Sequence, residues 1–295
     1  MFNTMTYEVE PTSILYFGYG SNLDNEDWTI WCEKRGDDPS GLIEIGAAWL
    51  DGYQLCFDYY SRSRKGGAAN LKKTNRKNTA TPGALFEIDD YTLDLLDRKE
   101  GVNIEDCYQR EIVTVYTQDG NSHQAITYTH QSSEDVYYQP TKDYEALIRN
   151  NLERLDLPLD WLDYAINKSP QPEFNIIFVY GTLMKGMSRH SEIESDCDFL
   201  GYGTVKGELY QISDFPGLVP GNQDVYGELY RAREATGLIK RLDWIEGFIG
   251  DYPLFSRVIQ RVYSSKEKLW AYTYQYSRPI GDSKLIQSNC WREFE

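Results

Sequence analysis

Two glutamates, Glu100 and Glu246, occupy the same short pattern in different halves of the chain. Each follows an aspartate by three positions, ends a run with apolar residues at helical spacing, and precedes a glycine, a residue type that commonly ends helices. At a helix C-terminus the dipole disfavours negative charge, and partial burial adds to this effect, so the pKa of each carboxyl group should rise. A glutamate with a pKa near neutrality suits a general acid and base.

Taken alone, either glutamate is better explained as a solvated side chain before a capping glycine. Repetition of the whole pattern in the second half favours the catalytic interpretation. Asp97 and Asp243 share a helix face with the glutamates that follow them and could form carboxylate pairs, although they could equally lie at the surface. No Ser-His-Asp or Cys-His set accompanies either pattern.

A second motif is an apolar strand that ends in Tyr-Gly followed by Ser or Thr. It reads Tyr19-Gly-Ser-Asn22 in the first half and Tyr180-Gly-Thr-Leu183 in the second. Because Gly20 lacks a Cβ, the chain can turn there and point the next backbone N–H groups into one cavity, where they could bind a carboxylate or an oxyanion. An ordinary junction of strand and turn is the alternative. A dinucleotide-binding loop is excluded, because Leu23 stands where its third glycine is needed.

Both motifs belong to a longer internal repeat. Five landmarks recur in one order: the Tyr-Gly strand, Gly83 with Gly227, the Asp-x-x-Glu-Gly helix end, Arg110 with Arg257, and an Ala-x-Thr-Tyr strand that ends at Tyr128 and at Tyr274. Solenoid repeats have periods of about 20–50 residues, and this period is far longer. The sequence therefore predicts two tandem globular domains.

The expected organisation is a flexible N-terminus (1–13), a first domain (14–165), a linker with two prolines (166–174) and a shorter second domain (175–295). Helical spacing predicts a helical segment between Tyr144 and Tyr164 in the first domain. Elsewhere, short alternating strands surround one recurring helix in each half. This pattern predicts the α+β class, with each domain a small mixed or mostly antiparallel β-barrel flanked by helices.

The chain has a net charge of −16, which argues against nucleic acid or an anionic membrane as a partner. No apolar run of about 18 residues predicts a membrane span, and the first residues lack the apolar stretch of a signal peptide. The five cysteines and three histidines show no metal-ligand spacing. We therefore expect a cytoplasmic protein with reduced thiols that uses neither a metal nor a cofactor.

These motifs resemble those of the γ-glutamylcyclotransferase family. In the first half the resemblance rests on Tyr16-Phe-Gly-Tyr-Gly-Ser-Asn22 together with Asp97-x-x-Glu100-Gly. In the second half, Tyr180-Gly-Thr-Leu183, the Phe-Pro-Gly-Leu-Val-Pro-Gly segment at 215–221 and Glu246-Gly resemble the AIG2-like, γ-glutamylamine cyclotransferase branch. The resemblance covers nearly all of the chain after residue 13 and implies the γ-glutamylcyclotransferase-like fold in both domains.

The resemblance also implies a reaction. Glu100 takes a proton from the α-ammonium of a γ-glutamyl substrate, the freed amine attacks the γ-carbonyl of the same molecule, and 5-oxoproline and an amine or amino acid leave. Glu246 would act in the same way in the second domain. The implied substrate-binding residues are Gly18, Tyr19, Gly20, Ser21, Asn22, Tyr108 and Tyr128 in the first domain and Tyr180, Gly181, Thr182, Leu183 and Tyr274 in the second.

The two halves differ at two of these places. Leu183 stands where the first half has Asn22, and Phe255 stands where it has Tyr108, so the second site should be less polar. It is expected to take a more apolar or amine-type leaving group, or no substrate. Two alternatives stay open: one catalytic domain with one structural domain, and a non-catalytic module that binds a small metabolite or a partner protein.

Overall fold

The computed structural model describes residues 13–131, 136–170 and 172–294. Within them the chain forms two β-barrels, each closed by five strands and flanked by helices. The predicted α+β class with two tandem barrels is therefore confirmed. The N-terminal segment that was expected to be flexible, 1–13, lies outside the described residues except for its last residue.

In the first domain the described elements are β1 (Ile14–Gly18), a 3₁₀ turn (Ser21–Leu23), α1 (Asn25–Glu33), β2 (Ile43–Asp51), β3 (Tyr53–Ser61), β4 (Gly66–Lys73), β5 (Ala80–Ile88), α2 (Asp90–Glu100), β6 (Gln109–Thr117), β7 (Ser122–Thr129), α3 (Lys142–Arg154) and α4 (Asp160–Ile166). The barrel order is β1-β5-β2-β6-β7, and a parallel pairing of β1 with β7 closes it. Strands β3 and β4 form a separate hairpin. Alternation along β6 buries Val113 and Val115 in the barrel and exposes Ile112.

The second domain repeats this topology. Its described elements are β8 (Ile176–Val179), α5 (Ser191–Glu194), β9 (Cys197–Gln211), β10 (Pro216–Ala232), α6 (Ala235–Ile245), β11 (Phe255–Ser264), β12 (Lys268–Tyr276), β13 (Lys284–Leu285) and α7 (Trp291–Phe294). Strands β8, β10, β9, β11 and β12 form the ring, and a parallel pairing of β8 with β12 closes it. Helix α6 therefore corresponds to α2.

Glycines at matching places allow close strand packing in both barrels. A Cβ on Gly83 of β5 would lie 2.3 Å from the carbonyl oxygen of Gly18, and one on Gly227 of β10 would lie 2.3 Å from that of Val179. No side chain fits at either position unless the backbone moves. These two landmarks of the repeat therefore shape the barrels.

An aromatic cluster joins the two barrels. The ring of Trp49 in β2 packs against Trp161 of α4, Phe174 and Trp270 of β12, with centroid separations of 5.1, 5.0 and 6.0 Å. Phe174 also contacts Tyr272 of β12 at 4.6 Å, and all five side chains are buried. Phe174, which falls in the segment expected to be a linker, is thus part of the core between the domains.

The helical segment expected between Tyr144 and Tyr164 forms two helices, α3 and α4. The chain turns between them at Asp156, whose φ is +54°, and Pro158 cannot continue the first helix. None of the helices among the described residues combines the length and the apolar character needed to span a membrane.

Candidate active site

The two glutamates lie at equivalent helix ends. Asp89 caps the start of helix α2, since its side chain accepts a hydrogen bond from the backbone N–H of Thr92 at 2.7 Å, and the helix ends with Glu100. Gly101 then adopts the left-handed conformation, with φ +76°. Helix α6 ends just before Glu246, and Gly247 has φ +65°. The predicted capping glycines are confirmed, and they place both carboxyl groups where the helix dipole disfavours a negative charge.

In the first domain, Glu100 lines a cavity of about 1210 Å³. The cavity brings together most of the predicted residues of this half: Tyr19, Gly20, Ser21, Asn22, Glu100, Tyr108 and Tyr128. Gly18 is the exception. It lies at the end of β1, where a Cβ would come within 2.9 Å of the Phe86 ring, so this glycine serves strand packing and not the cavity wall.

Glu100 is held by a polar bridge. The side-chain amide of Asn22 donates to Glu100 Oε1 at 3.0 Å and to the Tyr16 hydroxyl at 2.8 Å, and its oxygen accepts from Lys99 Nζ at 2.5 Å. Burial raises the pKa of Glu100, while the charge of Lys99 and the Asn22 hydrogen bond oppose this shift. Asn22, one of the substrate-binding residues that the resemblance implies, uses both amide N–H groups to position Glu100 and Tyr16.

The predicted tyrosines form the wall of the cavity and donate their hydroxyl hydrogens to protein groups. Tyr19 donates to the carbonyl oxygen of Tyr128 at 2.5 Å, and Tyr108 donates to that of Ala69 at 2.7 Å. Tyr128 donates to Asp97 Oδ1 at 2.7 Å. Each hydroxyl keeps a lone pair for a donor group of a ligand.

The possible carboxylate pairs are replaced by ion pairs with arginine. Asp97 accepts from Arg110 Nε at 2.6 Å, and both oxygens of Asp243 accept from Arg257 Nη1 at 2.7 Å. Each aspartate therefore neutralises the landmark arginine of its own domain. Neither Asp97 nor Asp243 lines a cavity, whereas Glu100 and Glu246 do.

In the second domain, Glu246 lines a cavity of about 130 Å³. Every residue predicted for this site borders it: Tyr180, Gly181, Thr182, Leu183, Glu246 and Tyr274. Leu183 and Ile245 stand where the first domain has Asn22 and Lys99, so the second domain has neither the amide nor the ammonium group of the polar bridge. Burial raises the pKa of Glu246 to about 7, and Arg189 at the cavity wall opposes the shift.

The second cavity has an apolar side in addition to its polar and charged residues. Phe215, Pro216, Leu254 and Phe255 contribute to this side. Trp244, two positions before Glu246, is 72% exposed and does not line the cavity, so it does not contribute to the burial of the carboxyl group. The second cavity has about one ninth of the volume of the first, so it admits a much smaller ligand.

The Tyr-Gly loops have one geometry in both domains. The N–H of Leu23 donates to the Gly20 carbonyl at 3.1 Å, and that of Met184 donates to the Gly181 carbonyl at 3.0 Å. A tight turn of this kind leaves its first N–H groups without intrahelical partners. The residues that carry these groups, 20–22 and 181–183, line the cavity that holds the glutamate, which is compatible with the oxyanion interpretation.

Three residues of the first cavity were missed by the sequence analysis. The Tyr144 hydroxyl accepts from the N–H of Ala69 at 3.3 Å, and the Arg64 guanidinium lies 5.2 Å from the Tyr144 ring. Arg64 also forms an ion pair with Asp27 at 2.5 Å. The third residue, Lys99, lines the same cavity. None of the three has a counterpart of the same type in the repeat, so comparison of the halves gave no signal for them.

Within the described residues, no group of three or more His, Cys, Asp or Glu side chains is arranged to hold a metal ion. Each cavity contains a glutamate whose pKa is raised by burial, next to the residues of a Tyr-Gly loop.

Comparison with known proteins gives one consistent family. A model of the family described as "Gamma-glutamyl cyclotransferase, AIG2-like" matches residues 16–146 and 177–293. The gamma-glutamylcyclotransferase family protein YtfP of Escherichia coli K12 is 37% identical over 116 residues, which are 39% of this chain and 94% of that protein. The gamma-L-glutamyl-butirosin B gamma-glutamyl cyclotransferase of Niallia circulans is 33% identical over 40% of this chain and 76% of that protein. The solved structure of YkqA from Bacillus subtilis is 16% identical and covers 90% of this chain and 85% of its own, with a TM-score of 0.39.

Proposed function

Because this chain belongs to the AIG2-like gamma-glutamyl cyclotransferase family, we propose that it releases 5-oxoproline from γ-glutamyl amino acids, peptides or amines, with Glu100 and Glu246 as general acids and bases. One observation carries this proposal. In each domain a desolvated glutamate at a helix C-terminus shares a cavity with the N–H groups of a Tyr-Gly turn. A general acid and base and a group that stabilises the oxyanion are enough for a reaction in which the substrate supplies its own nucleophile.

The reaction begins with a proton transfer. Glu100 accepts a proton from the α-ammonium of the bound γ-glutamyl group, and the free amine attacks the γ-carbonyl carbon of the same molecule. Backbone N–H groups after Gly20 stabilise the negative charge that develops on the carbonyl oxygen. The C–N bond to the leaving group then breaks as Glu100 returns the proton to the departing nitrogen. The attacking nitrogen gives its second proton, by way of the same carboxylate, to the released amine, which leaves as its ammonium form. Intramolecular attack removes much of the entropic barrier, and the general base adds roughly 10²–10⁴-fold.

Asn22 supports this role of Glu100. Its amide fixes one carboxyl oxygen, which leaves the other free to face the substrate amine. A carboxyl group with a single fixed oxygen has a defined direction for proton transfer, and general base catalysis requires the base within about 2.6–3.2 Å of the proton donor.

The two domains are proposed to differ in leaving group. The large first cavity, with Arg62, Arg64 and Lys99 among its lining residues, can pair the carboxylate of a departing amino acid or peptide. The small second cavity, with Leu183 and Phe255 in its wall, suits a short or apolar amine. Arg189 also lines the second cavity, but its charge acts on Glu246, and a further carboxylate without a partner of its own would be costly to bury there.

Small γ-glutamyl compounds are the proposed ligands of both sites. Nucleic acid is not a proposed partner, since a net charge of −16 repels a phosphate backbone. The proposed reaction requires neither a metal nor a cofactor.

The test is the stoichiometry of product release. The protein is incubated with γ-glutamylalanine and with a γ-glutamyl alkylamine, and 5-oxoproline and free amine are quantified. Equal amounts of both products, with loss of both in the double variant Glu100→Gln, Glu246→Gln, are expected. Absence of 5-oxoproline from every γ-glutamyl compound, together with measurable binding, would instead identify a non-catalytic module.

A further inference from the structure

A carboxylate of the first domain reaches into the second domain. Asp51 is the last residue of β2, and its Oδ2 lies 3.1 Å from Nη2 of Arg257 in β11. Its other oxygen accepts from the hydroxyl of Tyr272 in β12 at 2.7 Å. One side chain of the first barrel thus binds two neighbouring strands of the second.

These contacts continue directly to the second cavity. Arg257 holds both oxygens of Asp243, one helical turn before Glu246. Asp243 Oδ1 also accepts from the Tyr274 hydroxyl at 2.9 Å. The carbonyl of Tyr274, which lines the cavity, in turn accepts from the Tyr180 hydroxyl at 2.7 Å.

Arg257 is the centre of this arrangement and is almost fully buried, with 4% of its side chain exposed. Its guanidinium lies 4.7 Å from the Tyr272 ring and 5.7 Å from the ring of Phe248, two residues after Glu246. A buried guanidinium needs carboxylates that satisfy its charge and its N–H groups. Asp51 and Asp243 share this task, so loss of Asp51 would leave one edge of the guanidinium unpaired and free its position.

The first domain lacks this dependence. Its corresponding set is Asp97, Arg110 and Tyr128, with Arg110 at the barrel surface and 38% of its side chain exposed. Among the described residues, Arg110 forms its ion pair with Asp97 alone, and no carboxylate of the second domain reaches it. The part of the guanidinium that does not contact Asp97 is open to solvent.

We infer that Asp51 is a positioning residue for the site of the other domain: by fixing Arg257, it orients Asp243 and the end of α6 that carries Glu246. The second site is therefore completed by a side chain of the first domain, whereas no carboxylate of the second domain holds Arg110 in the described structure. This inference rests on the proposed function for the meaning of turnover, but its geometry does not.

The experiment isolates each site in the full chain. In a Glu100→Gln background only the second site turns over, and in a Glu246→Gln background only the first. Asp51→Asn is introduced into both. Asp156→Asn is the matched control, because Asp156 also forms an ion pair with a buried arginine of β11, Arg261, but at a place that does not border either cavity.

In the Glu100→Gln background, Asp51→Asn should lower kcat for the second site by roughly tenfold to a hundredfold, since small misplacements of a catalytic group have effects of this size, with KM changed much less. Asp51→Glu should recover part of the loss. Asp156→Asn should leave the rate within about twofold even where it lowers the melting temperature as much as Asp51→Asn. In the Glu246→Gln background, neither substitution should change turnover.

Binding of 5-oxoproline to the second site, measured by calorimetry in the Glu100→Gln background, separates this inference from the proposed function. If the second site binds 5-oxoproline without turnover, the proposed function fails for this domain, and weaker binding by Asp51→Asn but not by Asp156→Asn still supports the positioning role. If neither turnover nor binding at the second site responds to Asp51→Asn, or if both aspartate variants lose equal activity, the inference is wrong.

Discussion

At the scale of single residues, the two domains place the same carboxyl group in different surroundings. Glu100 has the amide of Asn22 against it and the charge of Lys99 nearby, whereas Glu246 has Leu183 and Ile245 at those positions. These two differences between the domains remove both members of the hydrogen-bonded bridge in the second site. The first site holds its glutamate by hydrogen bonds, and the second has no equivalent of that bridge.

This difference predicts the effect of Asn22→Leu on the first site. The variant removes a hydrogen bond that stabilises the ionised form of Glu100, so the pKa of Glu100 should rise further. In a Glu246→Gln background, the acidic limb of the pH profile of kcat/KM should move to higher pH, and kcat should fall by about tenfold or more. The reverse change, Leu183→Asn in a Glu100→Gln background, should move the profile of the second site to lower pH. Profiles that do not move in either variant would contradict the role given to Asn22.

A second prediction concerns stability. The pKa of Glu246 is about 7 in the folded protein against an ordinary value of 4.5, so the folded state holds this proton more tightly than the unfolded state does. The stabilisation is present below pH 4.5 and is lost as pH rises through 7, by up to about 3 kcal/mol. Glu246→Gln does not titrate, so its free energy of unfolding relative to the wild type should increase between these pH values. Urea unfolding at pH 4, 6 and 8 measures it, and a difference that is constant with pH would contradict the shift.

Sequence reasoning located both glutamates and both loops because they are repeated, and repetition separates a site from an ordinary helix end. The hydrogen bonds that join Asn22 to Tyr16 and Lys99 were not predicted, because these partners come from other elements and cannot be inferred from spacing. Tyr144 was missed for a related reason, since it belongs to a helix that the second domain lacks.

At the scale of elements, the site depends on how closely β1 and β5 approach, because β1 leads directly into the Tyr-Gly loop. Gly83 permits this approach, since a Cβ there would lie 2.3 Å from the Gly18 carbonyl oxygen. The landmark glycine of the repeat is thus explained by packing and not by catalysis.

Gly83→Ala should therefore destabilise the protein by about 1–3 kcal/mol, the usual cost of forcing an extra methyl group into a packed interior. Denaturant unfolding measures the change. Glu87→Ala, at an exposed position of the same strand, is the control and should change stability by less than about 0.5 kcal/mol. Equal small effects of the two variants would mean that the strands can separate without cost.

Elements with a local cause were predictable from the sequence. The N-cap at Asp89, the C-terminal glycines and the alternation of β6 follow from local propensity and pattern. The division of the helical segment into α3 and α4 was not predicted, because the expectation followed the helical spacing and gave no weight to Pro158, which cannot continue α3.

At the scale of the whole molecule, the two barrels share one core. Trp49 lies at its centre, fully buried between α4, Phe174 and β12 of the second domain. The tandem architecture was predictable from the repeat, but the docking of the barrels was not. Trp49 and Trp270 belong to strands whose pattern does not distinguish a barrel interior from an interface.

Trp49→Ala should therefore destabilise both domains together, by about 3–5 kcal/mol. Hydrogen exchange should accelerate in β12 of the second domain as well as in β2, and thermal unfolding should remain one transition. Protection lost in the first domain alone, or two separate transitions in the wild type, would show that the barrels unfold independently.

The central claim is that each domain is a cyclotransferase with its own glutamate and its own leaving-group preference. Its most direct test compares Glu100→Gln and Glu246→Gln on a γ-glutamyl dipeptide and on a γ-glutamyl alkylamine. We predict that Glu100→Gln lowers release of 5-oxoproline from the dipeptide by roughly 10²-fold or more and largely spares the alkylamine, and that Glu246→Gln does the opposite. Equal losses on both substrates would contradict the difference between the domains, and unchanged turnover in either variant would remove that glutamate from the mechanism.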